Sequence, residues 1–223
     1  MYLSDYIKDD RKGHVNFEFV DVQLDSDNRI FIDPVVLENA TDEWSIKANN
    51  CVQSFFDCLF EALKNNRSDE LFDHAHEQNA TKLGYGNGQN GKGKTADGLE
   101  EALSKLKNLV HAIPTISKGE DIPVLVDGFA EDCMSDLLTN ILHEQLNEFT
   151  ASQMKSRDIP ADGKKTFWTW DTVSNTWHQV TKESWFYKGK ELLMVPKWIV
   201  RKNYLFKAHQ YLCGVIIERM QTE

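Results

Sequence analysis

The chain has little that would tie it to an oxidising compartment or to a membrane. Its four cysteines, Cys51, Cys58, Cys133 and Cys213, fall at scattered spacings with no C-x-x-C pair. That excludes a cysteine-rich zinc module and a disulfide framework as the organising device. No apolar run approaches the ~20 residues needed to span a bilayer. The first residues, MYLSDYIKDDRKG, contain no apolar h-region, so a secretory signal is not expected. Internal repeats are missing too. What remains is the composition of an ordinary globular protein, with 41% hydrophobic and 27% charged residues in 223. The expectation is one domain with a sizeable core, cytoplasmic, with reduced thiols and no membrane partner.

The net charge of −10 is unevenly spread. Residues 1–152 hold 13 Lys+Arg against 28 Asp+Glu, a balance of −15, and residues 153–223 hold 12 against 7, a balance of +5. The basic last third either pairs with an acidic surface of the same chain or faces a polyanion such as nucleic acid.

Periodicity divides the chain into an acidic helical body (about 1–152) and a basic, β-rich subregion (about 153–223). HVNFEFVDVQL (14–24), the turn DSDN and RIFIDP (29–34) read as a β-hairpin. Residues 43–66 read as a long helix, with Ile46, Val52, Phe55, Phe56, Leu59 and Leu63 at helical spacing. Residues 68–78 read as a shorter helix, and 96–113 as an amphipathic one bearing Leu99, Ala102, Leu103, Leu106 and Val110. IPVLVDG (122–128) reads as a short buried strand or extended segment, and 131–150 as the strongest helix. In the tail, TFWTWD (166–171), NTWHQV (175–180) and KELLMVPK (190–197) read as strands, and 204–220 as a closing helix. This order predicts an α+β protein with an N-terminal β-hairpin, central amphipathic helices, C-terminal β-hairpins and a closing helix.

Residues 88–95, GQNGKGKT, fit the phosphate-loop pattern G-x-x-x-x-G-K-[ST]. Gly91, Gly93, Lys94 and Thr95 would be its anion-binding residues, at the start of the 96–113 helix. A true loop of this kind follows a buried strand, and the residues ahead of it, HAHEQNATKLGYGN, have no aliphatic run to form one. With five glycines among residues 83–94, the stretch suits an anion site or a flap better than an NTPase.

The helix 131–150 carries the most chemistry. Asp132, Asp136 and Asn140 recur at i, i+4 and i+8, so they share a face, bordered by Thr139 and His143. Met134, Leu137, Leu138, Ile141, Leu142 and Phe149 face the other way. Two carboxylates one turn apart repel unless a cation sits between them, and hard oxygen ligands suit Mg or Mn. The same stripe also reads as a solvated helix face, with Asp132 favoured by the helix dipole. Asp33 or Asp127 would complete a cation shell, and Lys197, ending a hydrophobic strand, would stabilise developing negative charge. His74 and His76 form H-x-H, and the tryptophans of TFWTWDTVSNTW fit cross-strand pairing, with base stacking as the alternative.

Four stretches, RIFIDPVVL (29–37), the glycine loop 84–94, AEDCMSDLLTNIL (130–142) and GKELLMVPKWIV (189–200), together resemble a group of bacterial proteins of mobile-element and phage-defence gene neighbourhoods. In that group the acidic helix often begins with an arginine between Asp and Ser-Asp, where Cys133 stands here. The resemblance implies a bacterial defence component, with partner proteins from its operon. Combined with the acidic stripe, it leads to a divalent-metal-dependent, nuclease-like hydrolase as the expected function. A non-catalytic subunit or sensor binding a partner protein is the alternative, and an NTP-binding switch ranks last.

Overall fold

The structure, a computed structural model, describes residues 1–9, 16–65, 71, 73–74, 79–85, 106–108, 119, 122, 126, 129 and 131–203. Its elements run α1 (Leu3–Tyr6), β1 (Phe31–Ile32), α2 (Pro34–Asn39), α3 (Glu43–Lys64), α4 (Glu131–Ile141), α5 (His143–Lys155), β2 (Gly163–Asp171), β3 (Thr176–Ser184), β4 (Phe186–Tyr187), β5 (Lys190–Glu191), a 3-10 turn (Lys197–Ile199) and β6 (Val200–Arg201). This is an α+β fold: among the described residues, helices accompany three small antiparallel two-stranded sheets. Among the described residues no helix is long and apolar enough to cross a membrane.

α3 forms where periodicity places it. Asp42 caps it by accepting the Ser45 amide (2.9 Å), and Ala48, Cys51, Val52, Phe55, Phe56, Leu59, Phe60 and Leu63 make its buried face. Burial pushes the Cys51 thiol up to about 12, so it packs as a small apolar side chain. The β2–β3 hairpin lies against this helix. Trp170 pairs across the strands with Trp177, ring centroids 5.7 Å apart, and both meet the edge of Phe55. At the hairpin tip Asp171 accepts the amides of Val173 and Ser174 (3.1 Å each), and Asn175 takes a left-handed φ of 53°.

The helix expected over 131–150 is two helices, α4 and α5, broken at Leu142. The cause is a hydroxyl inserted into the backbone ladder. Thr169 Oγ1 donates to the Ile141 carbonyl (3.1 Å) and accepts the Glu144 amide (3.3 Å), taking an amide that would otherwise reach Asn140. The expected apolar face is correct, since Met134, Leu137, Leu138, Ile141, Leu142 and Phe149 are all buried.

The N-terminal β-hairpin does not form. Phe31 and Ile32 pair with Arg201 and Val200, not with residues 14–24. Phe17, Phe19, Val20, Val22 and Leu24 are buried as their alternation predicts, but their backbone partners lie elsewhere: Val20 N donates to Val195 O (2.9 Å), and Leu3 N to Val22 O (2.9 Å). Side-chain alternation reports burial, and it does not choose the partner strand. KELLMVPK is likewise a strand only at Lys190–Glu191. The amides of Leu192, Leu193 and Met194 go to Trp185 O, Ala80 O and Thr150 Oγ1, three separate segments. Lys197 therefore opens a 3-10 turn and does not end a strand. Of the segment 122–128 only Ile122 and Val126 are described, and Val126 N donates to Ile122 O at 2.9 Å, a helical spacing; the rest of that expectation lies outside the described residues. Residues 106–108 are helical, as expected of the 96–113 helix. The rest of that helix, most of 66–78 and the closing helix 204–220 lie outside the described residues.

A buried polar cluster fastens the tail to α5. His143 Nε2 meets Glu191 Oε2 at 2.9 Å while its ring lies flat on Phe167 (3.9 Å, 5°). Lys165 Nζ reaches the same Glu191 oxygen at 2.6 Å, and Asn147 Nδ2 donates to the Glu183 carbonyl (3.0 Å). Burial alone would raise the Glu191 pKa, but the His143 and Lys165 contacts outweigh it and hold the carboxyl below its ordinary value. The ionised form therefore favours the fold: its contribution is complete above the unfolded value of 4.5 and is lost as pH falls through the folded one. Urea unfolding at descending pH is expected to show wild type losing stability below pH 4.5 more steeply than Glu191→Gln.

Candidate functional site

Three of the four sequence stretches, and the start of the glycine-rich one, meet at β1. Just ahead of the first, Asn28 Nδ2 and Asn28 N both donate to Lys82 O (2.9 Å each), and Gly84 N returns to Asn28 O (2.9 Å). This clip fixes residues 82–85, where the glycine-rich stretch begins, alongside the entry to β1. The Ile32 amide donates to Ser135 Oγ of α4 at 3.1 Å. The Asp33 amide donates to Ile199 O at 3.0 Å, next to the β1–β6 pair.

On α4, positions 132, 135, 136 and 139 fall within about 100° of the helix circumference, so Asp132 and Asp136 share the side of the helix that carries Ser135. Asp132 and Asp136 are half-buried. Asp132 Oδ1 lies 2.8 Å from where a Cβ on Gly84 would stand, so the carboxylate sits directly on that glycine. Tyr85 OH donates to Glu131 Oε2 at 2.7 Å, and its ring packs on Phe31 (4.8 Å) with the Arg29 guanidinium 5.4 Å from its centroid. Burial first, and then the bond to Glu131, pushes the Tyr85 phenol up to about 12.

The other expected residues are placed as follows. Asp33 is fully buried; its Oδ1 caps α2 through the amides of Val35 (2.9 Å) and Val36 (3.4 Å), and its Oδ2 lies 3.9 Å from Arg201 Nε. Asn140 is buried, and its Nδ2 donates to the Asp136 carbonyl at 3.0 Å. Lys197 is half-buried, with its amide on Glu18 O (2.9 Å), two residues from the carbonyl that receives Asp33. Gly91, Gly93, Lys94, Thr95, His76 and Asp127 lie outside the described residues. Residues 79–85 hold one parallel bridge, Leu83 to Asn28, and no central strand. Among the described residues no group of three His, Cys, Asp or Glu side chains is placed to hold a metal ion.

Several residues that shape this junction carry no sequence signal of their own. Gly84 and Tyr85 stand just before the more conspicuous GQNGKGKT. Arg29, Lys202 and Asn203 line an open groove of about 520 Å3, with Asn28 and Ile30, and only the charge balance of the tail hints at it. Tyr85 thus links α4 to this groove, with Glu131 on its hydroxyl and Arg29 over its ring. Gly84 has φ +140°, a conformation L side chains rarely adopt, and no room for a methyl group. Gly84→Ala is expected to cost about 1–3 kcal/mol in urea unfolding. It should also shift the Tyr85 phenol, read by its absorbance titration, because the Asp132–Gly84–Tyr85 contact must open.

No curated protein and no solved structure matches the chain. One family model does, over residues 10–207, which takes in all four stretches. The chain belongs to that family, described as a domain of unknown function (DUF8370).

Proposed function

We propose that this protein is a divalent-metal-dependent, nuclease-like hydrolase of a bacterial defence or mobile-element system. The observation that carries the reading is the junction itself: β1, 82–85, α4 and 199–201 come together, with the Asp132 carboxylate against Gly84 and the Arg29 guanidinium over the ring of the next residue, Tyr85. Carboxylates beside guanidinium and ammonium groups suit a phosphodiester, whose bridging cation and flanking oxygens need both.

Asp132 and Asp136 would hold Mg or Mn, with Asn140 behind them and Asp33 orienting Arg201. Two carboxylates suffice for such an ion when the substrate's phosphate supplies further oxygens. When bound, the cation polarises the phosphoryl oxygen and acidifies a water. The chain's own part is to seat the phosphate on Arg29, Arg201 and Lys202, and to bring Lys197 towards developing negative charge. Arg157, Lys165, Lys182 and Lys188 of the tail pair with carboxylates of the same chain, so Arg29, Arg201 and Lys202 would be the groups that draw the polyanion.

A second reading, a non-catalytic subunit that docks a partner protein, is favoured by Asp33 and Asn140. Both are buried and engaged in local backbone hydrogen bonds. Calorimetric titration with Mn separates the two. The hydrolase reading expects a weak site in the protein alone, tightened at least about tenfold by a nuclease-resistant oligonucleotide. The site should be lost in Asp132→Ala/Asp136→Ala. Binding that the double variant leaves unchanged would move the stripe to the partner-docking reading. Lys202→Ala is expected to lower the slope of log affinity for duplex DNA against log salt by about 0.9, with no change of sequence preference.

A further inference from the structure

A second cavity, of about 700 Å3, opens between α3 and the β2–β3 hairpin, away from the β1 junction. Its size falls within the range of small-ligand sites. Its walls are rigid. Trp177 Nε1 donates to Leu71 O (2.8 Å), and the ring is held edge-on by Phe55 (5.7 Å) and Trp170 (5.7 Å). Asn175 accepts from Ser54 Oγ at 2.8 Å. Trp168 is the hairpin tryptophan left 38% exposed, and the His74 imidazole lies flat on it, 3.9 Å away and 8° from parallel. The chain thus already stacks one flat, nitrogen-bearing ring in this corner, edge-on to Trp177 at 5.9 Å.

The charge of the lining has one sign. Glu61 and Asp73 contribute carboxylates, and among the described lining residues there is no Lys or Arg. Indole faces carry the negative side of the ring quadrupole, so the aromatic walls and the carboxylates attract the same kind of ligand. A nucleotide would bring its phosphate against Glu61 and Asp73, whereas among the described lining residues a cation meets carboxylates and aromatic rings. A flat cation fits best, because guanidinium stacks on an indole and forks to a carboxylate, which a compact ammonium cannot do.

We propose that this cavity binds an organic cation of the guanidinium class, stacked at Trp168 beside His74 and paired with Glu61 and Asp73. The cation is either a free small guanidinium compound or an arginine side chain of a partner protein. The site is independent of the hydrolase reading.

The test is tryptophan fluorescence and calorimetry with agmatine, with the blocked peptide acetyl-Gly-Arg-Gly-amide, and with its lysine counterpart. Agmatine or the arginine peptide is expected to bind, the lysine peptide more weakly, with affinity falling at least about tenfold in Glu61→Gln/Asp73→Asn. Those two side chains are exposed, so the variant keeps the fold, checked by circular dichroism. Trp168→Phe should retain part of the binding and Trp168→Ala should abolish it. Tighter binding of the peptide identifies a protein source, and tighter binding of agmatine a free compound. Absence of binding by both, affinity unchanged in the carboxylate variant, or binding of guanosine in their place would overturn the proposal.

Discussion

The structure depends on a strand two residues long. β1 cannot be stable as a strand by itself, because two residues supply too few ladder bonds to offset the entropy of fixing them. It holds because each neighbour comes from a different part of the chain. Ser135 receives the Ile32 amide, β6 pairs alongside, and Ile199 receives the Asp33 amide. At its entry, Asn28 ties residues 82–84 to the same place. A junction made from long-range contacts brings groups of opposite charge, Asp33 and Arg201, to one point.

The tail reaches that junction through a second set of constraints. The Thr169 hydroxyl breaks the long helix at Leu142, and the break turns His143 inward onto Phe167 and Glu191. Glu191 is the last residue of β5, so this contact fixes where 192–201 begins its run through the core. Leu192 to Val195 are then buried one after another. The amides of Leu192, Leu193 and Met194 find acceptors on Trp185, on Ala80 and on α5, before β6 arrives beside β1. A buried carboxylate of this kind is costly to desolvate, and its value here is in selecting one path for the tail.

What the sequence makes legible follows from the range of the interactions. α3 and the buried face of 131–150 are set by spacing within one element, and the β2–β3 hairpin by alternation around the turn Asp171–Thr176. These read directly. The 14–34 hairpin and the KELLMV strand misread because their side-chain pattern is correct while their hydrogen-bond partners are distant. The break at Leu142 is invisible locally, since its cause, Thr169, stands 27 residues on. At the site, the shared face of Asp132 and Asp136 was visible, because helical geometry alone requires it. Gly84, Tyr85 and Arg29 were not, because their importance arises only when 82–85 is clipped against Asn28. Asn140, read as a ligand at i+8, is drawn inward to its own backbone.

The central claim is that these four segments build one cation-and-phosphate site. Paramagnetic broadening of backbone amide signals by Mn, titrated into the isotopically labelled protein with a nuclease-resistant oligonucleotide, tests it most directly. The account predicts that the amides of Phe31, Ile32, Asp33, Gly84, Tyr85, Asp132 and Arg201 lose intensity together, over one narrow range of Mn concentration. Broadening centred elsewhere, on α3 or the β2–β3 hairpin, or spread evenly over the acidic surface, would contradict it.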